Sequence, residues 1–209
     1  MPVYFDWSRG VDKKELRICS DIILDDGLVI LPTETVYGIG SNALSSSAVR
    51  NIYNAKRRPI NKPLSIIVAN KKQIEDYAII QNDVERKIID NFMPGPLTII
   101  LKKNNNIPNI VTAGNDTIGI RIPANKICTK LLNECGVPLV ASSANISGEP
   151  CGTNIRILKK DFERTVDIFI NGGPSKLGQP STIVQVIDGE LNILREGQIT
   201  KEDIEKIIK

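Results

Sequence analysis

Apolar and polar positions alternate in blocks along the chain, and these blocks predict helices and strands in succession. Residues 12–26 place apolar side chains at helical spacing, and a continuous apolar run at 28–31 is typical of a buried strand. Further helices are predicted over 45–53, 71–79, 82–92, 125–135, 155–163 and after Thr200, and further strands over 64–69, 94–102, 118–123, 137–141, 166–170 and in two hairpin arms. This order predicts one α/β domain over residues 1–209.

The last two predicted strands show what kind of sheet this is. They flank Asp188-Gly189, a turn dipeptide that favours a hairpin and therefore an antiparallel pair. Strands that alternate with helices favour parallel pairing. The sequence thus predicts a twisted mixed parallel/antiparallel sheet flanked by helices.

Three segments between these elements are rich in turn-forming residues. Residues 103–117 are polar and predict a mobile loop, residues 142–154 form a long connection of small residues, and residues 171–181 are rich in glycine. Loops of this kind commonly carry binding residues on a rigid scaffold. They are therefore candidates to contribute to a site.

The composition of the chain excludes several protein classes. The 209 residues are 41% apolar and 24% charged, with a net charge of +3, as in an ordinary globular protein that could take a nucleotide or nucleic acid as partner. No run of about 18 apolar residues occurs, so no membrane span is expected. The N-terminal segment lacks an apolar leader, and we expect a cytoplasmic protein.

The cysteine and histidine content narrows the chemistry further. Four cysteines are present without a CxxC pair, which argues against a structural zinc site and favours reduced thiols. Histidine is absent, so a Ser-His-Asp or Cys-His mechanism and a His-ligated metal are excluded. Catalysis would depend on Lys, Arg, carboxylates, hydroxyls, backbone dipoles or a metal ion brought by a substrate.

Candidate binding residues concentrate between positions 31 and 65. Thr33 to Thr35 place two hydroxyls and a carboxylate at the end of a strand, and Lys56 to Arg58 with Lys62 form a cationic cluster on a backbone stiffened by two prolines. Such a cluster suits phosphate, which indicates half of a nucleotide site. Neither GxxxxGK[ST] nor GxGxxG occurs, so this site is neither a P-loop nor a Rossmann site.

Each of these features also has an ordinary structural interpretation. The cations at 56–58 could form a solvated helix end, and Arg121 could be one half of an ion pair. SSANISG could be a simple turn, and PSTIV an ordinary strand entry. The interpretation changes when the motifs are taken together.

Seven motifs occur in a fixed order along nearly the whole chain: PTETVYG, KRRPINKPL, MPGPLT, GIRIP, SSANISG, PSTIV and LREG. In this combination the chain resembles the YrdC/Sua5 family, the L-threonylcarbamoyladenylate synthases. The resemblance implies a YrdC-like fold with a basic concave face. It also implies an enzyme that makes threonylcarbamoyl-AMP and pyrophosphate from L-threonine, bicarbonate or CO2, and ATP, for the t6A modification at position 37 of tRNA.

The resemblance implies a role for eleven residues. Nucleotide-binding positions fall on Lys56, Arg58, Thr117, Ser143, Asn145 and Arg195, of which Lys56 and Arg58 are also implied to be catalytic. L-Threonine-binding positions fall on Thr33, Ser65, Arg121, Ala141 and Ser181. Mg2+ is expected through the ATP phosphates, without a metal ligand from the protein.

Two departures from the family pattern limit what can be carried over. Ile67 stands where many relatives have a histidine, so details that depend on an imidazole do not transfer. The chain stops at Lys209 without the C-terminal extension of two-domain members, so the loop at 103–117 is the candidate to close over the site. The implied partner is the machinery that transfers the threonylcarbamoyl group to tRNA.

Two other functions fit the same fold. A module that binds double-stranded RNA or tRNA, or that assists ribosome maturation, would use the basic face, although an aromatic content of 4% argues against single-strand stacking. The carbamoyl-adenylating domain of hydrogenase maturation proteins is also similar, but those proteins carry zinc-finger cysteine pairs and an acylphosphatase module, which this sequence lacks. Formation of a threonine-dependent adenylate separates these alternatives.

Overall fold

The computed structural model describes residues 1–151 and 155–208, so residues 152–154 of the predicted small-residue loop and residue 209 of the predicted domain lie outside the described residues. The helices are α1 (Lys13–Leu24), α2 (Ser46–Lys56), α3 (Lys72–Tyr77), α4 (Asp83–Phe92), α5 (Lys126–Cys135), α6 (Ile155–Phe162) and α7 (Lys201–Ile208). The strands are β1 (Val3–Asp6), β2 (Val29–Leu31), β3 (Gly38–Asn42), β4 (Ser65–Ile67), β5 (Ala78–Ile79), β6 (Leu97–Lys103), β7 (Thr117–Arg121), β8 (Leu139–Ser143), β9 (Ile168–Asn171), β10 (Thr182–Ile187) and β11 (Glu190–Arg195).

The strands form one mixed sheet, which confirms the predicted fold class. Their order is β1-β9-β2-β3-β8-β4-β7-β6-β10-β11, and the short strand β5 pairs with β6. The pairs β1/β9, β2/β9, β4/β7 and β6/β10 are parallel, and the other pairs are antiparallel. The hairpin of β10 and β11 turns at Asp188 and Gly189, whose positive φ angles are those of the predicted turn.

Both faces of the sheet are packed against apolar side chains. In β9, Phe169 belongs to one core cluster, whereas Ile168 and Ile170 belong to the other, as the alternation of a strand requires. Helices α1 and α5 supply the second cluster, and α2, α4, α6 and α7 contribute to the first. None of the described helices is long and apolar enough to cross a bilayer.

Helix boundaries follow capping residues that the sequence displays. Asp12 accepts hydrogen bonds from two N–H groups of α1, and Asn82 accepts one from Glu85, as the capping-box pattern predicts. Helix α2 runs to Lys56, one turn farther than predicted, and ends at Arg57 in a left-handed conformation. Lys56 is therefore the last residue of the helix rather than part of the loop that follows.

Some predictions about local structure are wrong. Gly38 and Gly40, which in the sequence indicate a turn, lie in strand β3, where the lack of side chains lets the strand lie close against β8 and Leu31. The first strand, β1, and the two-residue strand β5 were not predicted, since neither is long enough to show a clear alternation.

The segment predicted as a mobile loop is instead anchored to the core. Val111 and Thr112 are fully buried, and the carbonyl of Val111 accepts a hydrogen bond from Leu64 N–H. Asn104 and Asn106 both donate to the carbonyl of Asp76. These contacts hold the loop to the body of the protein.

Candidate active site

A cavity of about 210 Å³ opens to solvent at the sheet ends around β3, β4, β8 and β10. The polar and charged side chains in its lining are Thr33, Thr35, Tyr37, Arg58, Ser65, Thr98, Arg121, Ser142, Ser143, Ser181 and Arg195. Guanidinium and hydroxyl groups therefore dominate its polar surface.

Most of the residues implied by the motifs meet at this cavity. Eight of the eleven line it: Thr33, Arg58, Ser65, Arg121, Ala141, Ser143, Ser181 and Arg195. Lys56 and Asn145 lie directly behind the wall that Ser143 forms. Thr117 begins β7 opposite Lys102 and is not part of the lining, and no residue of the loop 104–116 reaches it either.

Arg58 stands just beyond the end of α2. Its Nε donates to the carbonyl of Lys62 at 3.1 Å, and its Nη2 donates to the carbonyl of Pro63 at 2.7 Å. Partial burial lowers the pKa of Arg58, yet an arginine remains charged at neutral pH. Backbone carbonyls of the proline-containing loop thus orient a cation that faces the cavity.

Lys56 has a different environment, which contradicts the expectation that it lies at an exposed helix end. Only 1% of its surface is exposed, and its ammonium donates to the carbonyls of Ser143 and Asn145, the latter at 2.7 Å. Burial, with a smaller effect from the charge of Arg58, lowers the pKa of Lys56 to about 8. The end of β8 and the segment that follows it cross the helix end and supply these carbonyls, so Lys56 supports the wall.

Ser143 and Asn145 form a compact turn over Lys56. Ser143 Oγ donates to Asn145 Oδ1 at 2.6 Å, and Asn145 Nδ2 donates to the carbonyls of Ile146 and Glu149. The Asn145 amide is thereby engaged within the turn and mostly buried. Ser143 is the member of this pair that borders the cavity.

Arg195 joins the wall from the end of the hairpin. Its Nε and Nη2 donate to the carbonyl of Ser181 at 3.0 and 2.8 Å, and Nη2 also donates to Ser181 Oγ at 3.1 Å. Ser181 Oγ lies 2.8 Å from Thr98 Oγ1, a hydroxyl that also borders the cavity. Thr98 was missed as a site residue, although it ends the MPGPLT motif.

The segment from Thr33 to Tyr37 is held by the glycine-rich loop. Thr33 Oγ1 donates to the carbonyl of Val36 at 2.6 Å and lies 2.8 Å from Thr35 Oγ1. The fully buried Tyr37 donates through its hydroxyl to the carbonyl of Gly173 at 2.7 Å. These contacts fix the two threonine hydroxyls at the cavity.

Arg121 is both a cavity residue and half of an ion pair. Its Nε donates to the carbonyl of Gly95 at 3.1 Å, and its Nη2 lies 2.8 Å from Glu34 Oε1. Both side chains are about nine-tenths buried, and the pair does not have the angles of a hydrogen bond. Cys128 is buried beside them, and burial raises the pKa of its thiol to about 12, so it is a neutral neighbour.

The position of the Ser65 side chain in the sheet depends on a glycine in the neighbouring strand. Gly119 pairs with Ser65 across β4 and β7, and a Cβ at position 119 would collide with Ser65 Oγ. The absence of that atom leaves room for the Ser65 hydroxyl, which borders the cavity.

The donor set of the cavity suits an anion rather than a metal cation. Its described lining contains three arginines and no aspartate or glutamate. Within residues 1–151 and 155–208, no group of three or more His, Cys, Asp or Glu side chains could hold a metal ion. These residues do not fit a protein-held Mg2+.

Comparison with known proteins identifies the family of this chain. A family model for Sua5, YciO and YrdC, described as "Telomere recombination", matches residues 21–197. A putative threonylcarbamoyl-AMP synthase of Methanocaldococcus jannaschii is 48% identical over 187 residues, which cover 90% of this chain and 87% of the relative. A threonylcarbamoyl-AMP synthase of Pyrococcus abyssi is 36% identical over 208 residues, which cover 100% of this chain and 61% of the relative.

Solved structures agree with the sequence matches. The crystal structure of P. abyssi Sua5 complexed with L-threonine has a TM-score of 0.94 and 36% identity, covering 100% of this chain and 61% of that chain. This chain thus spans about three fifths of the Pyrococcus protein. E. coli YciO, with a TM-score of 0.86, 24% identity and 98% of each chain covered, shares the fold. The resemblance seen in the motifs is confirmed, and the chain belongs to the Sua5/YciO/YrdC family.

Proposed function

We propose that this protein is an L-threonylcarbamoyladenylate synthase, which forms threonylcarbamoyl-AMP and pyrophosphate from L-threonine, bicarbonate or CO2, and ATP. The observation that carries the proposal is the convergence of Arg58, Arg121 and Arg195 with several hydroxyls on one cavity. These cations come from three distant segments of the chain. The Methanocaldococcus jannaschii relative, 87% of which is covered by this chain, is named a putative threonylcarbamoyl-AMP synthase, which supports the same activity.

The proposed reaction has two steps. The amine of L-threonine adds to CO2 and loses a proton, which gives a carbamate. A carbamate oxygen then attacks the α-phosphorus of ATP, the bond from that phosphorus to the bridging oxygen breaks, and pyrophosphate leaves. Proton transfer is needed in the first step but not in the second, so the adenylation itself does not require a histidine.

The arginines at the nucleotide end supply fixed positive charge. Negative charge builds on the α-phosphoryl oxygens and the departing pyrophosphate, and preorganised cations stabilise it without reorganisation. Backbone carbonyls orient Arg58 and Arg195, and these carbonyls do not neutralise the positive charge that the two side chains present to the cavity. They are the proposed phosphate ligands, together with the hydroxyl of Ser143.

The amino-acid end would use Arg121 and the hydroxyls beside it. A guanidinium binds a carboxylate in a fixed planar geometry, so Arg121 is the proposed ligand of the threonine carboxylate. Thr33 and Ser181 would hydrogen-bond the threonine side-chain hydroxyl, with Ser65 and Ala141 as walls. 2-Aminobutyrate, which lacks the hydroxyl, cannot form these hydrogen bonds, so its binding should be weaker. Arg121→Ala should raise the KM for threonine more than the KM for ATP.

In the proposed reaction, Mg2+ arrives with ATP, and the downstream partner takes up the product. Since the described residues offer no ligand set, any Mg2+ would be held by the ATP phosphates, and no step is assigned to it. The product is a mixed anhydride that water hydrolyses, so the machinery that transfers the threonylcarbamoyl group to tRNA must take it up quickly. Direct contact of this chain with tRNA or double-stranded RNA is the alternative function.

The test is a product analysis with an amino-acid panel. Purified protein is incubated with ATP, Mg2+ and 13C-bicarbonate and with each amino acid separately, and the products are analysed by mass. The proposal predicts a labelled acyl-adenylate that forms with L-threonine and at a much lower level with 2-aminobutyrate. RNA binding without any adenylate would favour the alternative and contradict the proposal.

A further inference from the structure

Glu34 is the most unusual charged residue near the cavity, and its role rests on the proposed function. It is about nine-tenths buried, and neither of its carboxylate oxygens has a hydrogen-bond partner in the part of the chain that the structure describes. Its charged neighbour is Arg121, at 2.8 Å. Burial of a carboxylate without hydrogen bonds costs free energy of folding. Its presence beside Arg121 therefore suggests that the charge has a function.

The three cavity arginines differ in the charge of their partners. Arg58 donates to the carbonyls of Lys62 and Pro63, and Arg195 donates to Ser181. These acceptors are neutral, so they do not cancel the positive charge of either arginine. Arg121 alone among them is matched by a carboxylate, that of Glu34. The cavity thus has a cationic end and an end where positive and negative charges lie side by side.

The charge of Glu34 can act on a bound ligand without direct contact. It is not part of the cavity lining, although its neighbours Thr33 and Thr35 are. Its oxygens are inaccessible to solvent, so they act on a ligand through the electrostatic field. The field of a charge buried away from water is strong at short distance.

We propose that Glu34 makes the Arg121 end of the cavity a site for a zwitterion rather than for an anion. Arg121 attracts the α-carboxylate of the amino acid, and the nearby negative charge of Glu34 attracts its α-ammonium group. The same negative charge weakens the attraction of Arg121 for phosphate. Glu34 therefore directs the triphosphate to Arg58 and Arg195 and reserves Arg121 for the amino acid.

The test compares wild type with Glu34→Gln in equilibrium binding of three probes. These probes are L-threonine, 3-hydroxybutyrate, which is threonine without its amino group, and inorganic triphosphate. Wild type should prefer threonine to 3-hydroxybutyrate by about tenfold or more, and triphosphate should change the Kd for threonine by less than about twofold. In Glu34→Gln the preference should fall to about threefold or less, and triphosphate should compete with threonine.

A matched control separates this effect from general loss of a buried carboxylate. Glu85 is 2% exposed and accepts a hydrogen bond from Gln81 N–H outside the cavity lining, so Glu85→Gln should leave all three affinities unchanged. Glu34→Asp, which keeps the charge, should retain the preference for threonine within about threefold, and this variant also serves if Glu34→Gln does not fold.

The outcomes distinguish the inference from the proposed function. Unchanged selectivity in Glu34→Gln, or loss of selectivity in Glu34→Asp, would overturn the role of Glu34 even if wild type makes the adenylate. Selectivity that wild type shows and Glu34→Gln loses, in a protein that makes no adenylate, would support the role of Glu34 and contradict the proposed reaction. Failure of wild type to prefer threonine would overturn the inference directly.

Discussion

Three consecutive cations, Lys56, Arg57 and Arg58, lie in three different environments. Lys56 is buried and donates to the backbone of the turn after β8, whereas Arg58, two residues later, lines the cavity. Arg57, between them, is exposed and caps α2 with a φ of 51°. One charged run thus contains a structural clamp, a cap and a proposed ligand of the substrate.

The difference shows what decides the role of a cation in a motif. Side chains in and just beyond the last turn of a helix point in different directions, so neighbours in sequence meet different parts of the fold. The turn of Ser143 and Asn145 passes over one of them and leaves another open to the cavity. Substitutions at these three positions should therefore have separable effects. Arg58 should affect catalysis, Lys56 should affect stability, and Arg57 should have little effect on either.

Arg58→Ala should produce the largest effect. Loss of a preorganised cation at the phosphates is expected to lower kcat/KM for adenylate formation by about 100- to 1,000-fold. Stability should change little, since Arg58 is only partly buried and bonds to loop carbonyls. Steady-state kinetics and thermal unfolding of the same preparation check both expectations, and unaltered kinetics would exclude Arg58 as a phosphate ligand.

Lys56→Met should mainly reduce stability. The substitution keeps the length of the side chain but removes the ammonium donor from the carbonyls of Ser143 and Asn145. The Ser143 carbonyl keeps the N–H of Asn145 as a donor, whereas a buried group left unpaired costs about 1–3 kcal/mol. We therefore expect the free energy of unfolding to fall by about 1–3 kcal/mol, as measured by denaturant titration. A variant as stable as wild type but inactive would show that Lys56 contacts the substrate instead.

The same residue predicts a dependence of stability on pH. The pKa of Lys56 in the folded protein is about 8, below its ordinary value of 10.5, so between these values the unfolded chain binds more protons. The contribution of Lys56 to the free energy of unfolding should therefore rise as pH increases from 8 to 10.5, by about 1–3 kcal/mol. Lys56→Met should lack this rise relative to wild type, whereas Arg57→Ala should retain it.

Arg57→Gly should have the smallest effect. Glycine adopts positive φ readily, so the substitution should leave the helix cap intact and raise the free energy of unfolding by up to about 1 kcal/mol. Adenylate formation should stay within about twofold of wild type, because Arg57 does not line the cavity. A large loss of activity would instead give Arg57 a part in binding.

Local patterns predicted much of the fold. Helix starts at Asp12, Ser45 and Asn82 were recognisable because short polar side chains there accept hydrogen bonds from the first turn. The loop at 103–117 was misjudged because its polar residues conceal Ile107 and Val111, which pack into the core. Strand β3 was missed because glycines that allow strands to approach closely look like turn residues in a sequence.

The site was predictable as a set of motifs but not as a geometry. The order of the motifs identified eight residues that do line the cavity. The burial of Lys56 depends on a turn about 90 residues later in the chain, and no local pattern reports that crossing. The ion pair of Glu34 with Arg121 depends in the same way on strand order within the sheet.

The most direct test of the central claim measures pyrophosphate release by wild type and Arg58→Ala, with ATP present and with threonine and bicarbonate omitted singly. The account predicts that wild type releases pyrophosphate when both are present and that Arg58→Ala, although folded, is slower by about 100-fold or more. Release that does not depend on threonine and bicarbonate, or equal rates in the two proteins, would contradict it.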